Sequence, residues 1–277
     1  SARRLAAAGI ACFRTPEAAA DALRARLLWQ APLPPAEVGD VATARAALRT
    51  VAGTIADEWQ ARDVFVALGV PMGEAELVAD PDALIRIAAQ LRFPVALKAV
   101  SAALPHKTEA GAVALGLGDL AAAAAAMREM RARLAGVPIR GFLIASMQQG
   151  VGEVLLGFRR DPQAGPVVVL GAGGVLAELM PPPAIAPAPL SPARARLLVE
   201  AAPLAHLGGV RGRERGDLDA LAEAVRAFSR LAGLPEVAEA EINPLLVRGE
   251  GQGVVALDAL VVRVERSAGS PLGRASQ

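Results

Sequence analysis

Tyrosine is absent from the chain, and aromatic residues make up only 3% of it. So few aromatic rings argue against a platform on which nucleic-acid bases could stack. The formal net charge is +1, so the chain also lacks the positive charge typical of nucleic-acid-binding proteins. With a single cysteine, Cys12, it can form neither an internal disulfide nor a zinc site built from cysteines. A lone cysteine suits a reducing compartment, and we expect a cytoplasmic protein.

Long apolar segments are missing as well, although 53% of the residues are hydrophobic. No run reaches the roughly 18–20 residues that a membrane helix needs, and no basic block favours a membrane surface. At 277 residues the chain is long enough for one large domain or two. Strand and helix patterns are mixed, with both hairpin and crossover connections between them, which predicts an α+β (mixed α/β) fold.

The first 51 residues differ in pattern from the rest. Residues 1–30 are expected to contain a helix end, a short strand within 5–13, and a helix that Thr15 caps. A proline-rich stretch then opens a predicted linker over 31–51. Because the chain starts at Ser1 in the middle of a pattern, we expect it to be part of a longer protein.

The main domain is predicted over residues 52–265. Its first helix should begin near Thr54 and end at Gly69, because glycine commonly terminates helices. Residues 266–277 are expected to form a flexible tail.

The stretch from 93 to 118 is predicted to form two strands with a polar, glycine-containing loop between them. Lys98 lies in the first strand, and an ammonium group in apolar surroundings needs an anionic partner. The loop offers Lys107 and backbone N–H groups, a combination suited to phosphate. His106, one of only two histidines in the chain, lies in the same loop. Together these features indicate a nucleotide-phosphate site.

A second constellation lies in the hairpin near the C-terminus. If its six-residue loop is symmetric, Val247 pairs with Val254, and Asn243 then lies opposite Asp258 on one face. Glu241 shares that face because side chains alternate along a strand. Carboxylate and amide oxygens are suitable ligands for Mg²⁺, which takes few protein ligands. The alternative is a polar strand face that simply contacts solvent.

Glycines after the strand at 166–170 give a weaker signal. The run Gly171-Ala172-Gly173-Gly174 would let the backbone approach a phosphate, or it is a turn between strands. It lacks the spacing of a dinucleotide-binding fingerprint. Arg211 could reach a phosphate or be an ordinary loop arginine, and no nucleophile–base pattern of serine or cysteine with histidine is evident.

Several segments resemble the ATP-grasp half of NDP-forming acyl-CoA synthetases, the ADP-forming acetate–CoA ligases, which are relatives of the succinyl-CoA synthetase β subunit. The segments are VALKAVSAALPHKTEAGAVALGL, GEVLLGFRRDPQAGPVVVLGAGGVLAEL, VRGRERGDLDAL and AEINPLLV followed by LDALVV. The resemblance implies an ATP-grasp fold of two lobes over residues 52–265, with a small lobe at about 72–143. Residues 1–30 resemble the end of a CoA-ligase domain that precedes ATP-grasp in fused members.

The resemblance also implies roles for individual residues. His106 resembles the histidine that carries a phosphoryl group towards a second histidine on the CoA-ligase part, and Glu241 the carboxylate that steadies the phosphohistidine. Asn243 and Asp258 resemble the Mg²⁺ ligands. The residues expected to bind ATP or ADP are Lys98, Lys107, Gly111, Ile144, Ala145, Glu153, Gly173, Gly174 and Arg211.

The implied activity is acid + CoA + ATP = acyl-CoA + ADP + phosphate. The implied partner is a CoA-ligase domain, in the same longer chain or a separate subunit, that binds CoA and the acid; a homodimer is left open. This chain departs from the family at Ala112, where a second glycine is usual, and over Met180–Ala186, where an acidic residue and an arginine are usual. The prolines of the second departure favour the alternative of a non-catalytic module that senses nucleotide or acyl-CoA, whereas the intact Lys98, His106, Glu241, Asn243 and Asp258 favour the enzyme. A carboxylate–amine ligase on the same fold is a third reading, and it would not need His106.

Overall fold

The computed structural model describes residues 2–28, 36–104, 107, 109–174, 180–209, 212 and 214–264. The chain divides into two compact units, one ending at Pro34 and the other starting at Pro35. Among the described residues, no helix is both long and apolar enough to cross a membrane. The predicted tail at 266–277 lies outside the described residues.

The first unit contains two helices, α1 (Ala2–Ala7) and α2 (Pro16–Leu27). As predicted, Thr15 caps α2: its side-chain oxygen accepts a hydrogen bond from the Ala18 amide at 3.2 Å. The strand expected within residues 5–13 is wrong, because α1 occupies the start of this range and no strand follows. A strand needs a neighbour to accept its backbone hydrogen bonds, and the described part of this unit contains none.

The second unit contains six α-helices and eleven strands among its described residues. The helices are α3 (Ala42–Arg49), α4 (Glu58–Leu68), α5 (Pro81–Ile87), α6 (Leu120–Arg133), α7 (Pro192–Ala201) and α8 (Leu218–Ser229). The strands are β1 (Ile55–Ala56), β2 (Ala75–Val78), β3 (Val95–Val100), β4 (Val113–Leu117), β5 (Gly141–Ser146), β6 (Gly152–Asp161), β7 (Gly165–Ala172), β8 (Ala184–Pro187), β9 (Val237–Val247), β10 (Val254–Ala256) and β11 (Leu260–Arg263).

The larger of the two sheets has the strand order β1-β11-β9-β6-β7-β8, with β10 also paired to β9. The core on this sheet includes side chains from α3, α4, α7 and α8, and we call this part the large lobe. Phe65 of α4 and Phe228 of α8 meet there with ring centroids 5.4 Å apart. Burial of such apolar groups is the main favourable contribution to folding.

The second sheet has the order β2-β5-β3-β4 and, with α5 and α6, forms what we call the small lobe. Its core is a separate cluster that includes Leu97, Met127 and Phe142. Helices and antiparallel sheets therefore combine in two lobes, and the predicted α+β (mixed α/β) fold is confirmed.

The range 31–51 does not act as a linker over its second half, which contains α3. Ala44 and Leu48 of that helix are buried in the large-lobe core. The spacing of its apolar residues is helical, and a proline-rich start obscured it. Helix α4 ends at Gly69 as predicted but begins later than Thr54, because Ile55 and Ala56 pair with β11 before Asp57 caps the helix.

The segment Met180–Ala186, where the sequence departs from the family, leads into the edge strand β8. Ala184 to Pro187 pair with Leu170 to Val167 of β7. Proline is tolerated at the edge of a sheet because a missing N–H there breaks no interior ladder. The described part of this segment thus extends the large-lobe sheet.

Candidate phosphate and metal site

Strand β3 and the loop after it place two lysines at the boundary between the lobes. Lys98 pairs through its backbone with Leu143 of β5 and Val113 of β4, so its position in the small lobe is set by two neighbouring strands. The carbonyl of Lys107 accepts a hydrogen bond from the Ala112 amide at 2.8 Å, which ties the loop back on itself. Both ammonium groups point to the large lobe, where each meets carboxylates.

The main partner of both lysines is Glu58, the first residue of α4. Its Oε1 accepts a hydrogen bond from Lys98 Nζ at 2.8 Å, and its Oε2 accepts one from Lys107 Nζ at 2.5 Å. Only 2% of the Glu58 side chain is exposed. A carboxylate so deeply buried is stable only with such partners, because desolvation of a charge is costly.

The second carboxylate of the cluster is Asp258, which follows β10. Its Oδ1 lies 2.9 Å from Lys107 Nζ and its Oδ2 lies 3.6 Å from Lys98 Nζ. Lys98 also donates to the carbonyl of Leu257 at 2.7 Å. At 32% exposure, the Asp258 side chain is far more accessible than that of Glu58. Both carboxylates therefore contact both ammonium groups. Glu58 does so from the buried side and Asp258 from the side that is accessible to solvent.

The environment shifts the pKa values of this cluster in opposite directions. Burial raises the pKa of Glu58, and the charges of the two lysines oppose that increase. Burial alone would also raise the pKa of Asp258, but Lys98 and Lys107 outweigh it and hold that pKa below its usual range. Burial acts to lower the pKa of Lys107, yet Glu58 and Asp258 together raise it above the ordinary lysine value. Lys107 therefore stays charged at neutral pH.

The C-terminal hairpin has the register predicted from its loop. Val247 pairs with Val254, and further along Glu241 pairs with Leu260. Residues 257–259, between β10 and β11, are not part of a strand, but the pairs before and after them follow the same register. Asn243 and Asp258 therefore occupy corresponding positions on adjacent segments.

A cavity of about 270 Å³ lies where these groups meet. It is lined by Ile55, Ala56, Glu58, Ser101, Ala102, Leu104, Lys107, Glu109, Val113, Glu241, Asn243, Asp258, Ala259 and Leu260. Both lobes contribute to its wall. Four predicted site residues, Lys107, Glu241, Asn243 and Asp258, thus share one cavity, and Lys98 is paired to Asp258 beside it.

The chemistry of these groups fits a divalent cation. Within the described ranges, no group of three or more His, Cys, Asp and Glu side chains is arranged to hold a metal ion. Asp258 with the amide oxygen of Asn243 still suffices for Mg²⁺, which commonly binds one or two protein oxygens together with phosphate oxygens and water.

Other predicted nucleotide contacts lie elsewhere in the second unit. The Ile144 side chain is buried in the small-lobe core, and Ala145 pairs with Ala75 and Ala96 within the sheet. The Gly173 amide donates to the carbonyl of Glu153 at 2.9 Å. None of Ile144, Ala145, Glu153 or Gly173 lines the 270 Å³ cavity. Their assignment to ATP stays a prediction.

Two glycines predicted to contact ATP have local structural reasons to be glycine. Gly174 has a positive φ of 60°, a conformation that side chains rarely adopt. Gly111 has φ 63°, and its carbonyl accepts a hydrogen bond from Arg133 at 3.0 Å. The predicted site residues His106 and Arg211 lie outside the described residues.

Sequence reasoning missed Glu58. An acidic residue in the first turn of a helix has an ordinary explanation, because it complements the helix dipole. Its partners lie 40 and 49 residues further along the chain, and no local pattern connects them. The sequence does indicate that Lys98 needs an anionic partner, but it does not identify Glu58 as that partner.

A family model for the ATP-grasp domain matches residues 47–262, and the chain belongs to that family. This match covers both lobes. It includes the strand and loop that carry Lys98 and Lys107, and the hairpin that carries Asp258.

Two related proteins match most of this chain. The chain is 34% identical over 231 residues to a trans-feruloyl-CoA synthase from an unidentified prokaryote, covering 79% of this chain but only 32% of that protein. It is 29% identical over 214 residues to the β subunit of an ADP-forming acetate–CoA ligase II from Pyrococcus furiosus, covering 74% of this chain and 90% of the subunit. The chain therefore spans about a third of the first relative and nearly all of the second.

A solved structure shows the same fold. The dinucleotide-forming acetyl-coenzyme A synthetase 1 of Ca. Korarchaeum cryptofilum superimposes with a TM-score of 0.68 and 27% identity, over 80% of this chain and 100% of that chain. That crystal contains coenzyme A and Mg-AMPPCP, with a phosphohistidine segment pointing towards the nucleotide binding site.

Proposed function

We propose that this chain binds ATP with Mg²⁺ between its two lobes and serves as the phosphoryl-transfer part of an ADP-forming acyl-CoA synthetase. The overall reaction is acid + CoA + ATP = acyl-CoA + ADP + phosphate. The observation that carries the proposal is the convergence of Lys98 and Lys107 from the small lobe on Asp258 of the large lobe, beside a cavity that Asn243 also lines.

Each group in this arrangement has a role that suits phosphoryl transfer. Such reactions are catalysed mainly by positioning and by neutralising charge on the phosphate oxygens. Lys98 and Lys107 would bind those oxygens, and Asp258 with Asn243 would hold the cation. When bound, Mg²⁺ would neutralise phosphate charge and orient the transferred group.

His106 is the proposed acceptor of the phosphoryl group. Support comes from its neighbours in the sequence, since Leu104 and Lys107 both line the cavity. A ring nitrogen of neutral imidazole would attack the terminal phosphorus of ATP, forming an N–P bond while the P–O bond to ADP breaks. Glu241 lies on the same cavity wall, as expected for a carboxylate that accepts a hydrogen bond from the phosphorylated ring.

The remainder of the reaction would take place on a CoA-ligase partner that binds CoA and the acid. Support comes from the relatives, of which one is a subunit and another is about three times longer than the matched region. The proposal includes a cytoplasmic location, where ATP is available. The acyl group would be selected by the partner.

The test uses the protein together with its CoA-ligase part, fused or supplied in trans, and γ-labelled ATP. We expect an acid-labile, base-stable phosphate on this chain, lost in His106→Ala. The matched control is His206→Ala, which removes the other histidine of the chain and should retain the label. Calorimetry of Mg·ATP binding should give nearly equal affinities for wild type and His106→Ala. Wild-type acyl-CoA synthesis by His106→Ala would contradict the relay.

A further inference from the structure

The two carboxylates that hold the lysines are not equivalent. Glu58 is almost fully buried and sits at the start of a helix whose other side packs in the large-lobe core. Both side chains line the cavity, but Asp258 is about one-third exposed and lies in the interruption between β10 and β11. An anion that enters the cavity therefore reaches the lysines from the side that Asp258 occupies.

The contacts of Asp258 conflict with its expected role. Its Oδ1 is 2.9 Å from Lys107 Nζ, and its Oδ2 is 3.6 Å from Lys98 Nζ. A cation bound to this carboxylate repels both ammonium groups and competes with them for its lone pairs, and a lysine held by Asp258 has fewer N–H groups to offer a phosphate. The two lysines keep other partners if Asp258 leaves them, because Glu58 binds both and Lys98 also donates to the Leu257 carbonyl.

We propose that Asp258 is an exchangeable counter-ion: it neutralises Lys98 and Lys107 in the absence of a divalent cation, and it releases them to phosphate when it turns to the cation. Glu58 is the fixed counter-ion that keeps the lysines in place during the exchange. This inference rests on the proposed function, and it makes metal binding and phosphate binding mutually dependent through one side chain. A polyphosphate without metal has to compete with an internal carboxylate, which lowers its apparent affinity.

The test measures binding of inorganic tripolyphosphate, in excess EDTA, to the whole 277-residue chain by calorimetry. Asp258→Asn should bind it about tenfold more tightly than wild type, since the competing carboxylate is gone. The matched control is Glu109→Gln. Glu109 lines the same cavity, and in the described part of the chain no ion pair joins it to either lysine. It therefore corrects for the loss of one negative charge near the site.

With excess Mg²⁺, wild type and Glu109→Gln should gain affinity for tripolyphosphate, and Asp258→Asn should gain little. Equal metal-free affinities of Asp258→Asn and Glu109→Gln, both folded by circular dichroism, would overturn the exchange and leave Asp258 as a cation ligand alone. If Asp258→Asn does not fold, Asp258→Ser replaces it in the same measurements, with the same expected and contrary results. Failure of wild type to bind Mg·ATP at all would overturn the proposed function, and the exchange with it.

Discussion

The two lobes resemble each other in construction and differ in the charge they bring to their boundary. Each is an antiparallel sheet covered by helices, with a hydrophobic core of its own. At the boundary the small lobe presents cations, and the large lobe presents the carboxylates that pair with them. The described pairs are Lys98 and Lys107 with Glu58 and Asp258, and Arg140 with Asp57.

This difference shows how a fold made of two similar parts can form one asymmetric site. A cation on one lobe and a carboxylate on the other attract each other across the cleft, and an anionic ligand with a cation can replace some of those contacts. Pairs that are buried stabilise the association of lobes only while both partners remain, since a single buried charge is costly. The two lobes can be compared by substitutions in their hydrophobic cores, in the buried contacts of Glu58 with the lysines, and at their helix caps.

The largest effect should come from removing a core aromatic ring in one lobe. Phe228→Ala in the large lobe and Phe142→Ala in the small lobe should each lower the free energy of unfolding by about 3–5 kcal/mol. Because the two cores are separate clusters, hydrogen exchange should accelerate mainly in the lobe that carries the substitution. Equal acceleration in both lobes for both variants would show that the lobes unfold as one unit.

A smaller loss is expected when the buried charge pair is broken. Glu58→Gln should lower the free energy of unfolding by about 3 kcal/mol, because it leaves Lys98 and Lys107 without their buried partner. Asp258→Asn is the matched comparison, and its cost should be about 1 kcal/mol or less since that side chain is partly exposed. Denaturant unfolding of both variants measures the difference. Equal costs would mean that burial does not distinguish the two carboxylates.

The smallest effect concerns helix caps. Asp217 caps α8 in the large lobe, accepting from the Ala220 amide at 3.0 Å and also from the Gly253 amide at 2.9 Å. Asp119 caps α6 in the small lobe through the Ala122 amide at 2.8 Å. Asp217→Ala should cost about 1–2 kcal/mol and Asp119→Ala about 1 kcal/mol, because only the first tethers a second segment. A larger cost at Asp119 would contradict this reasoning.

The Asp217 cap also predicts a dependence on pH. The hydrogen bond from the Ala220 amide, followed by that from Gly253, holds the pKa of Asp217 below its usual value. Its stabilising contribution is therefore complete above the unfolded pKa of about 3.9 and is lost as the pH falls through the lower folded pKa. Thermal unfolding should show a constant difference between wild type and Asp217→Ala at neutral pH, and a shrinking one below about pH 4. A difference that grows in acid would contradict the assigned sign.

Local patterns were sufficient to predict much of this molecule. Asp57 and Gly69 lie at the two ends of α4, where backbone groups need caps, and only the glycine was recognised. The hairpin register followed from the length of its loop, because a symmetric loop determines which residues face each other. Helix α3 was not predicted, because it follows a proline-rich stretch that is typical of a linker. Its two buried side chains belong to the core only because α4 packs against them.

The sequence by itself therefore determined most of the strands, some of the caps, among them Thr15 and Gly69, and the hairpin register that sets Asn243 opposite Asp258. It also determined that a buried Lys98 would need an anion. Only the tertiary structure decided which anion, because Glu58 lies 40 residues before Lys98, on a helix of the other lobe. Packing of each lobe around its own core brings these charges together, and electrostatic attraction between distant segments leaves no periodic trace in the sequence.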